Sequence, residues 1–157
     1  GADGPSGLLH EAINYAAENY VLIVSAAGND GPYQDSIDYP AAYSYVLSVG
    51  AIDLNFTIPE WSAHGANDLS EQSIVNNQDL QLVGPGVNIE STWKDDGYAI
   101  LSGSSMAAPH VAGLAAKLWQ NDSLDPVTAV KSLLRKLAID IETPGEDESS
   151  GFGFPRL

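Results

Sequence analysis

Leu101-Ser102-Gly103-Ser104-Ser105-Met106-Ala107-Ala108-Pro109-His110-Val111-Ala112-Gly113 is the stretch on which the reading of this 157-residue chain turns. Met106, Val111, Leu114, Ala115 and Leu118 recur at helical spacing with small residues between them, which predicts a buried helix over Ser105–Leu118 packed closely on a sheet. A serine stands where a glycine-containing turn enters that helix. The N-terminus of a helix offers unsatisfied N–H groups and positive partial charge, both suited to a developing oxyanion. Pro109 lies in the first turn, where its missing N–H costs little. On this stretch alone, Ser104 or Ser105 is read equally as a helix cap.

Working outward, Leu8, Leu9, Ala12, Ile13, Tyr15 and Ala16 predict a helix over about 7–19. Tyr20–Ala27 and Tyr45–Ile52 are short, β-branched and almost wholly apolar, as strands buried on both faces are, and Leu80–Val83 is a third such run. Asp125 and Pro126 have the chemistry of an N-cap and a first helical residue, for a helix reaching about Leu137. The polar stretch Ala66–Asp79 and the acidic tail Ile141–Ser150 read as surface loop. Helices alternating with buried strands make this an α/β fold, a parallel β-sheet flanked by helices, with residues 1–157 in one domain.

Asn29 closes the first strand in Ala26-Ala27-Gly28-Asn29-Asp30-Gly31, at the carboxyl end where α/β sheets place ligands. Taken alone it is a turn residue, because Asn-Asp-Gly-Pro is strong turn chemistry.

Composition excludes several classes. Six basic against 21 acidic residues give a formal net charge of -15, which repels nucleic acid and anionic membranes. Such a surface suits a secreted protein or one from a salty environment. The absence of cysteine removes disulfides, thiolate metal sites and thiol nucleophiles. No apolar run approaches the ~18 residues of a membrane span.

The serine segment resembles the nucleophile signature of the subtilisin-like serine proteases, Gly-Thr-Ser-Met-Ala-x-Pro-His-Val-Ala-Gly, almost continuously. Ser104 replaces the usual threonine and keeps its hydroxyl. The resemblance makes Ser105 the nucleophile of an endopeptidase. It makes Asn29, in a segment similar to the family's oxyanion stretch, a donor to the tetrahedral oxyanion beside the Ser105 N–H. It implies that Gly4, Pro5, Ala26, Ala27 and Gly28 border a peptide or protein substrate. Asp3 stands where glycine is more usual. Tyr39-Pro40-Ala41-Ala42-Tyr43 resembles a turn with a cis proline, and Gly84-Pro85-Gly86 resembles a segment usually read Ala-Pro-Gly. The Asp30–Asp38 loop looks short and Ala66–Asp79 looks inserted. No cofactor is required. A structural calcium or sodium ion is expected on the carbonyls of Ala41, Tyr43 and Val46 with help from Asp53, since hard cations prefer oxygen; Asp53 also reads as a solvated residue.

The resemblance covers only the C-terminal half of such a domain. A serine protease of this type needs a general base and a group that orients it. His10 reads as a helix residue and His64 sits in a loop without a pattern. His110 points away from Ser105 on the shared helix. None has a His-Gly-Thr-His setting, and no aspartate ends a buried strand in an Asp-Ser/Thr-Gly setting. Both groups are expected upstream of Gly1, on an N-terminal half that becomes the partner of this chain, which alone is expected to be inactive. An α/β-hydrolase elbow fails because Ala107 holds the place of its last glycine. Gly84-Pro85-Gly86 lacks the third glycine of a nucleotide site, and no paired histidines suggest a metal enzyme. The remaining alternative is a non-catalytic half that binds or supports.

Overall fold

The computed structural model describes residues 1–67 and 76–157. Helix α1 (Gly7–Glu18) leads into strand β1 (Ile23–Ala26), followed by β2 (Val46–Ile52), β3 (Leu82–Pro85), the hairpin β4 (Ile89–Trp93) and β5 (Gly97–Leu101), helices α2 (Ser104–Leu118) and α3 (Pro126–Lys136), and the short strands β6 (Ala138–Ile139) and β7 (Phe154–Pro155). β1, β2 and β3 form a parallel sheet in that order, with Ile23 opposite Val46 and Val49 opposite Leu82. The α/β reading therefore holds.

β2 is the middle strand, and all seven of its residues are buried. Strand alternation divides them between two faces. Leu47, Val49 and Ala51 meet Ala107, Val111 and Ala115 of α2 and Val130 and Leu134 of α3. Val46 packs with Ile13 of α1 and Tyr43, and Ile52 with Ala27, Ile37, Leu80 and Val83. Small residues let α2 lie close: a Cβ on Gly84 of β3 would come within 3.1 Å of the Ala107 carbonyl. The predicted cap of α3 is present, with Asp125 Oδ1 accepting from Thr128 N at 3.0 Å.

β1 is shorter than the Tyr20–Ala27 run because the cap of α1 extends into it. Tyr20 adopts φ 56°, and the Val21 N–H reaches back to the Ala16 carbonyl at 2.9 Å, a left-handed cap that consumes the first residues of the apolar run. β3 begins two residues after the predicted Leu80 because side chains, not a neighbouring strand, satisfy the backbone there. Asn67 exchanges two 2.9 Å bonds with Leu80, and the Gln81 N–H donates to Ser48 Oγ at 2.9 Å. Asn67 and Asp79, at the two ends of the stretch expected on the surface, are consequently buried; residues 68–75 within it lie outside the described residues. The tail after Ile141 is a loop as expected, but Asp147 is buried, accepting from Ser149 and Ser150. Tyr39–Pro40 is cis, as the resemblance implies, and so is Gly31–Pro32.

Gln81 ties these layers together. It is fully buried; its Nε2 donates to the Val46 carbonyl at 2.7 Å and its Oε1 accepts from Arg135 Nη2 at 3.4 Å. Arg135 in turn lies 4.4 Å over the Phe152 ring. Gln81→Leu keeps the bulk but strands a buried carbonyl, a change worth about 1–3 kcal/mol. Denaturant unfolding should show that loss, whereas substitution of exposed Leu124 by Gln should leave stability within about 0.5 kcal/mol.

Candidate active site

The site is assembled where the carboxyl ends of β1 and β2 meet the start of α2. The Gly86 N–H donates to the Ile52 carbonyl at 2.9 Å, and the Gly103 N–H donates to Gly86 O at 2.8 Å, so the strand ends hold the turn that launches α2. Gly103 has φ 156° and ψ 158°, a region open in practice only to glycine. The first helical N–H, that of Ser104, then needs an acceptor, and no side chain of the turn itself supplies one.

Asn29 supplies it. Its Oδ1 accepts from Ser104 N at 2.9 Å and from Ser104 Oγ at 3.1 Å. The same hydroxyl accepts from Gly28 N at 3.1 Å, and Gly28 holds its place in the turn with φ 117°. Ser104 is thus a buried tie between the two segments, a role its reading as a plain threonine replacement missed; the hydroxyl at both the family position and this one was the available signal. With Oδ1 committed, the Nδ2 hydrogens of exposed Asn29 are left for solvent or a ligand. Nδ2 lies close to the helix start: a Cβ placed on Gly103 would stand 3.4 Å from it.

Ser105, the next residue, is exposed and lines a cleft of about 300 Å³ with Ile89, Glu90, Met106, Pro109 and His110. The hairpin that walls this cleft was not read from the sequence. Its signal was Asp95-Asp96-Gly97: both aspartates have positive φ, 59° and 55°, and the Gly97 N–H closes onto Lys94 O at 3.3 Å, as in a type I′ turn. His110 shares the cleft, but its Nδ1 is 2.8 Å from the Met106 carbonyl of its own helix. His10 stacks on Tyr43 with ring centroids 4.8 Å apart, and His64 lines a different cleft with Pro32, Glu60 and Glu142. Neither is brought to Ser105.

The substrate-bordering residues separate into two groups. The Ala27 N–H and carbonyl are bonded to Val49 O and Asp38 N, and Gly28 O accepts from Ala63 N, so both residues can offer a wall but no ladder bonds. Gly4 and Pro5 are exposed in a segment fixed at Ala2, which exchanges two bonds with Tyr39. The expected cation ligands do not converge. Val46 and Asp53 are at opposite ends of β2, roughly 20 Å apart at strand rise. The Val46 carbonyl already accepts from Gln81. Asp53 Oδ1 accepts from Asn55 N and Thr57 N at 2.8 Å each, bonds that hold its carboxyl below the usual range and shape a turn. These four residues do not fit one ion, and among the described residues no cluster of three acidic or histidine side chains could hold a metal.

A profile of the Subtilase family matches residues 1–153. The chain belongs to the subtilase family. It is 37% identical to a subtilisin of Bacillus sp. (strain TA39) over 98% of the chain and 40% of that protein. It is 35% identical to the minor extracellular protease Epr of Bacillus subtilis (strain 168), over 98% of the chain and 22% of that protein. Among solved structures, the S41 psychrophilic protease superposes with a TM-score of 0.90 at 37% identity and sphericase with 0.91 at 36%, each covering 100% of this chain. The subtilase chain spans 55% of both solved structures and less than half of the two curated relatives. Its fold is a partial subtilisin fold.

Two glycines of the subtilase segment give opposite expectations. Gly103→Ala forces a side chain into a glycine-only conformation against the Asn29 amide, at a cost of about 1–3 kcal/mol. Gly113→Ala, mid-helix with open space around its Cβ, should stabilise by about 0.5–1 kcal/mol. Chemical denaturation of the two variants checks the pair.

Proposed function

We propose that this subtilase chain carries the acyl-transfer half of a serine endopeptidase site. Ser105 Oγ attacks the scissile peptide carbonyl, and the Asn29 Nδ2 and the Ser105 N–H receive the oxyanion. A tetrahedral intermediate collapses with loss of the amine to an acyl-enzyme, which water hydrolyses. The observation that carries this reading is the pair of hydrogen bonds that Asn29 Oδ1 accepts from Ser104 N and Oγ, which fixes the amide plane with its donor free beside an exposed serine. A preset donor needs no reorganisation as charge develops, which is where such sites gain most of their effect.

The base and its orienting carboxylate belong to an upstream half, and the chain alone does not hydrolyse peptides. The sheet supports a partner there. β1 is its edge strand, and its four residues remain partly exposed. Beside it, Leu22, Val24, Ala112, Ala116 and Trp119 line an open, mainly apolar cavity of about 540 Å³. An unpaired edge next to apolar surface seeks a strand. Peptide substrates follow from the family, and an extracellular location is supported by the acidic surface and by a relative named as an extracellular protease.

In the full-length protein, Ser105→Ala should lower peptide hydrolysis by several orders of magnitude. Asn29→Ala should lower kcat about 10²–10³-fold with little change in KM. Ser104→Ala, which removes the hydroxyl's bond to Asn29 and its bond from Gly28, each worth about 1 kcal/mol, should cost about thirtyfold in kcat at most, far less than Ser105→Ala. Steady-state kinetics that rank Ser104 above Ser105, or place the Asn29 effect in KM, would reject the assignment. Mixing the chain with an upstream half bearing the aspartate and histidine should restore Ser105-dependent proteolysis; robust hydrolysis by the 157-residue chain by itself would overturn the half-site reading.

A further inference from the structure

One carboxylate, that of Asp38, stands against the walls of the candidate site. Its backbone is tied down: the Asp38 N–H donates to the Ala27 carbonyl at 2.8 Å, and its own carbonyl accepts from Ala42 N at 3.0 Å. The next residue, Tyr39, exchanges two bonds with Ala2, which brings the Gly1–Ala2 segment alongside. The side chain of Asp38 therefore lies between two glycines. A Cβ on Gly28 would come within 3.0 Å of Asp38 Oδ2, and a Cβ on Gly1 would overlap the same carboxylate. Gly28 is the residue before Asn29, so the carboxylate borders the place where the oxyanion donor is presented.

Asp38 has little to balance its charge. Its side chain is 17% exposed, enough to be reached but too little to be fully hydrated. Carboxylates withdrawn this far from water are normally paired. Among the described residues its ionic partner is the Gly1 amino group, at 3.7 Å, beyond hydrogen-bond distance. Where an upstream half continues the chain through a peptide bond, that nitrogen is an amide and carries no charge. The segments around Asp38 contain no lysine or arginine; the first in the sequence is Lys94, in the β4–β5 turn. Asp3, exposed and two residues from Gly1, adds negative charge to the same segment. Among the described residues no cluster of three acidic or histidine side chains gathers here to hold a metal ion instead.

A substrate whose scissile carbonyl oxygen lies at Asn29 Nδ2 and Ser105 N starts the side chain of that same residue beside Gly28. We propose that this side chain is directed past Gly28 to Asp38, and that Asp38 makes the site select lysine or arginine as the residue that donates the scissile carbonyl. The inference rests on Asn29 and Ser105 acting as proposed above. A long cationic side chain lays its aliphatic stem against the glycine walls and brings its head to the carboxylate. Arginine can engage both carboxylate oxygens through its planar fork. A neutral side chain of equal length leaves the carboxylate desolvated without a charge partner, which is the costly case.

The test compares two chromogenic peptide anilides hydrolysed by the full-length protein, alike except that arginine or its neutral isostere citrulline precedes the cleaved bond. kcat/KM should favour arginine at least about tenfold, as a hydrogen bond to a charged group implies. Asp38→Asn, which keeps the size and shape of the side chain, should bring the two substrates to near-equal kcat/KM by slowing the arginine one. A variant that merely loosened the turn would slow both and keep their ratio. The peptide comparison needs no change in the protein, so it stands even if the variant fails to fold. Equal kcat/KM for the two peptides, with hydrolysis lost in Ser105→Ala, would overturn this inference and leave Ser105 and Asn29 in their proposed roles. Hydrolysis that survives Ser105→Ala, or hydrolysis of neither peptide, would overturn both.

Discussion

A helix that begins against the end of a sheet must find acceptors for its first N–H groups, and here the acceptor comes from a different part of the chain. Ser104 N and Oγ both donate to Asn29 Oδ1, across 75 positions of sequence. Around that bond the rest of the structure is arranged. β1 must end at Ala26 so that Gly28 can turn and present Asn29, and Gly86 and Gly103 must lack side chains so that the α2 turn can sit on the end of β2. The small-residue face of α2 then brings its axis down onto Gly84 and Ala51.

The same economy recurs at the opposite end of the sheet, where side-chain amides replace ladder bonds. Asn67 and Gln81 satisfy backbone groups that a longer β3 would have paired with strands, and Arg135 links that network to the Phe152 ring of the C-terminal segment. Buried polar networks of this sort are stabilising only when each member is matched. Gln81 meets that condition through both atoms of its amide, whereas the buried Nε of Arg135 has no partner. Gln81 also engages the carbonyl of Val46, one of the three on which a cation was expected.

What the sequence made legible follows from how local each signal was. The start of α2, the cap at Asp125 and the buried middle strand each rest on contiguous residues, and each is present in the fold. The extent of β1 was misread because the left-handed residue that caps α1 is a tyrosine, not a glycine, and carries no turn signal. The β4–β5 hairpin was passed over because its residues are mostly exposed and so show no clean burial alternation. At the candidate site, the turns that carry Asn29 and Ser105 could be read from contiguous residues, but the part played by Ser104 depends on which of two adjacent hydroxyls faces inward. The grouping of Ala41, Tyr43, Val46 and Asp53 failed for a related reason: nearness along the chain says little when a seven-residue strand separates the members.

The Asn29 bond also sets when the proposed chemistry can begin. The amide that would receive the oxyanion is oriented by the same hydrogen bonds that terminate α2, so it has no fixed direction until the helix is seated on the sheet. A chain still collapsing, or one whose helix has lifted away, has a serine but no aligned donor. The proposed hydrolytic competence is thereby bound to the completion of folding through the geometry of one helix terminus.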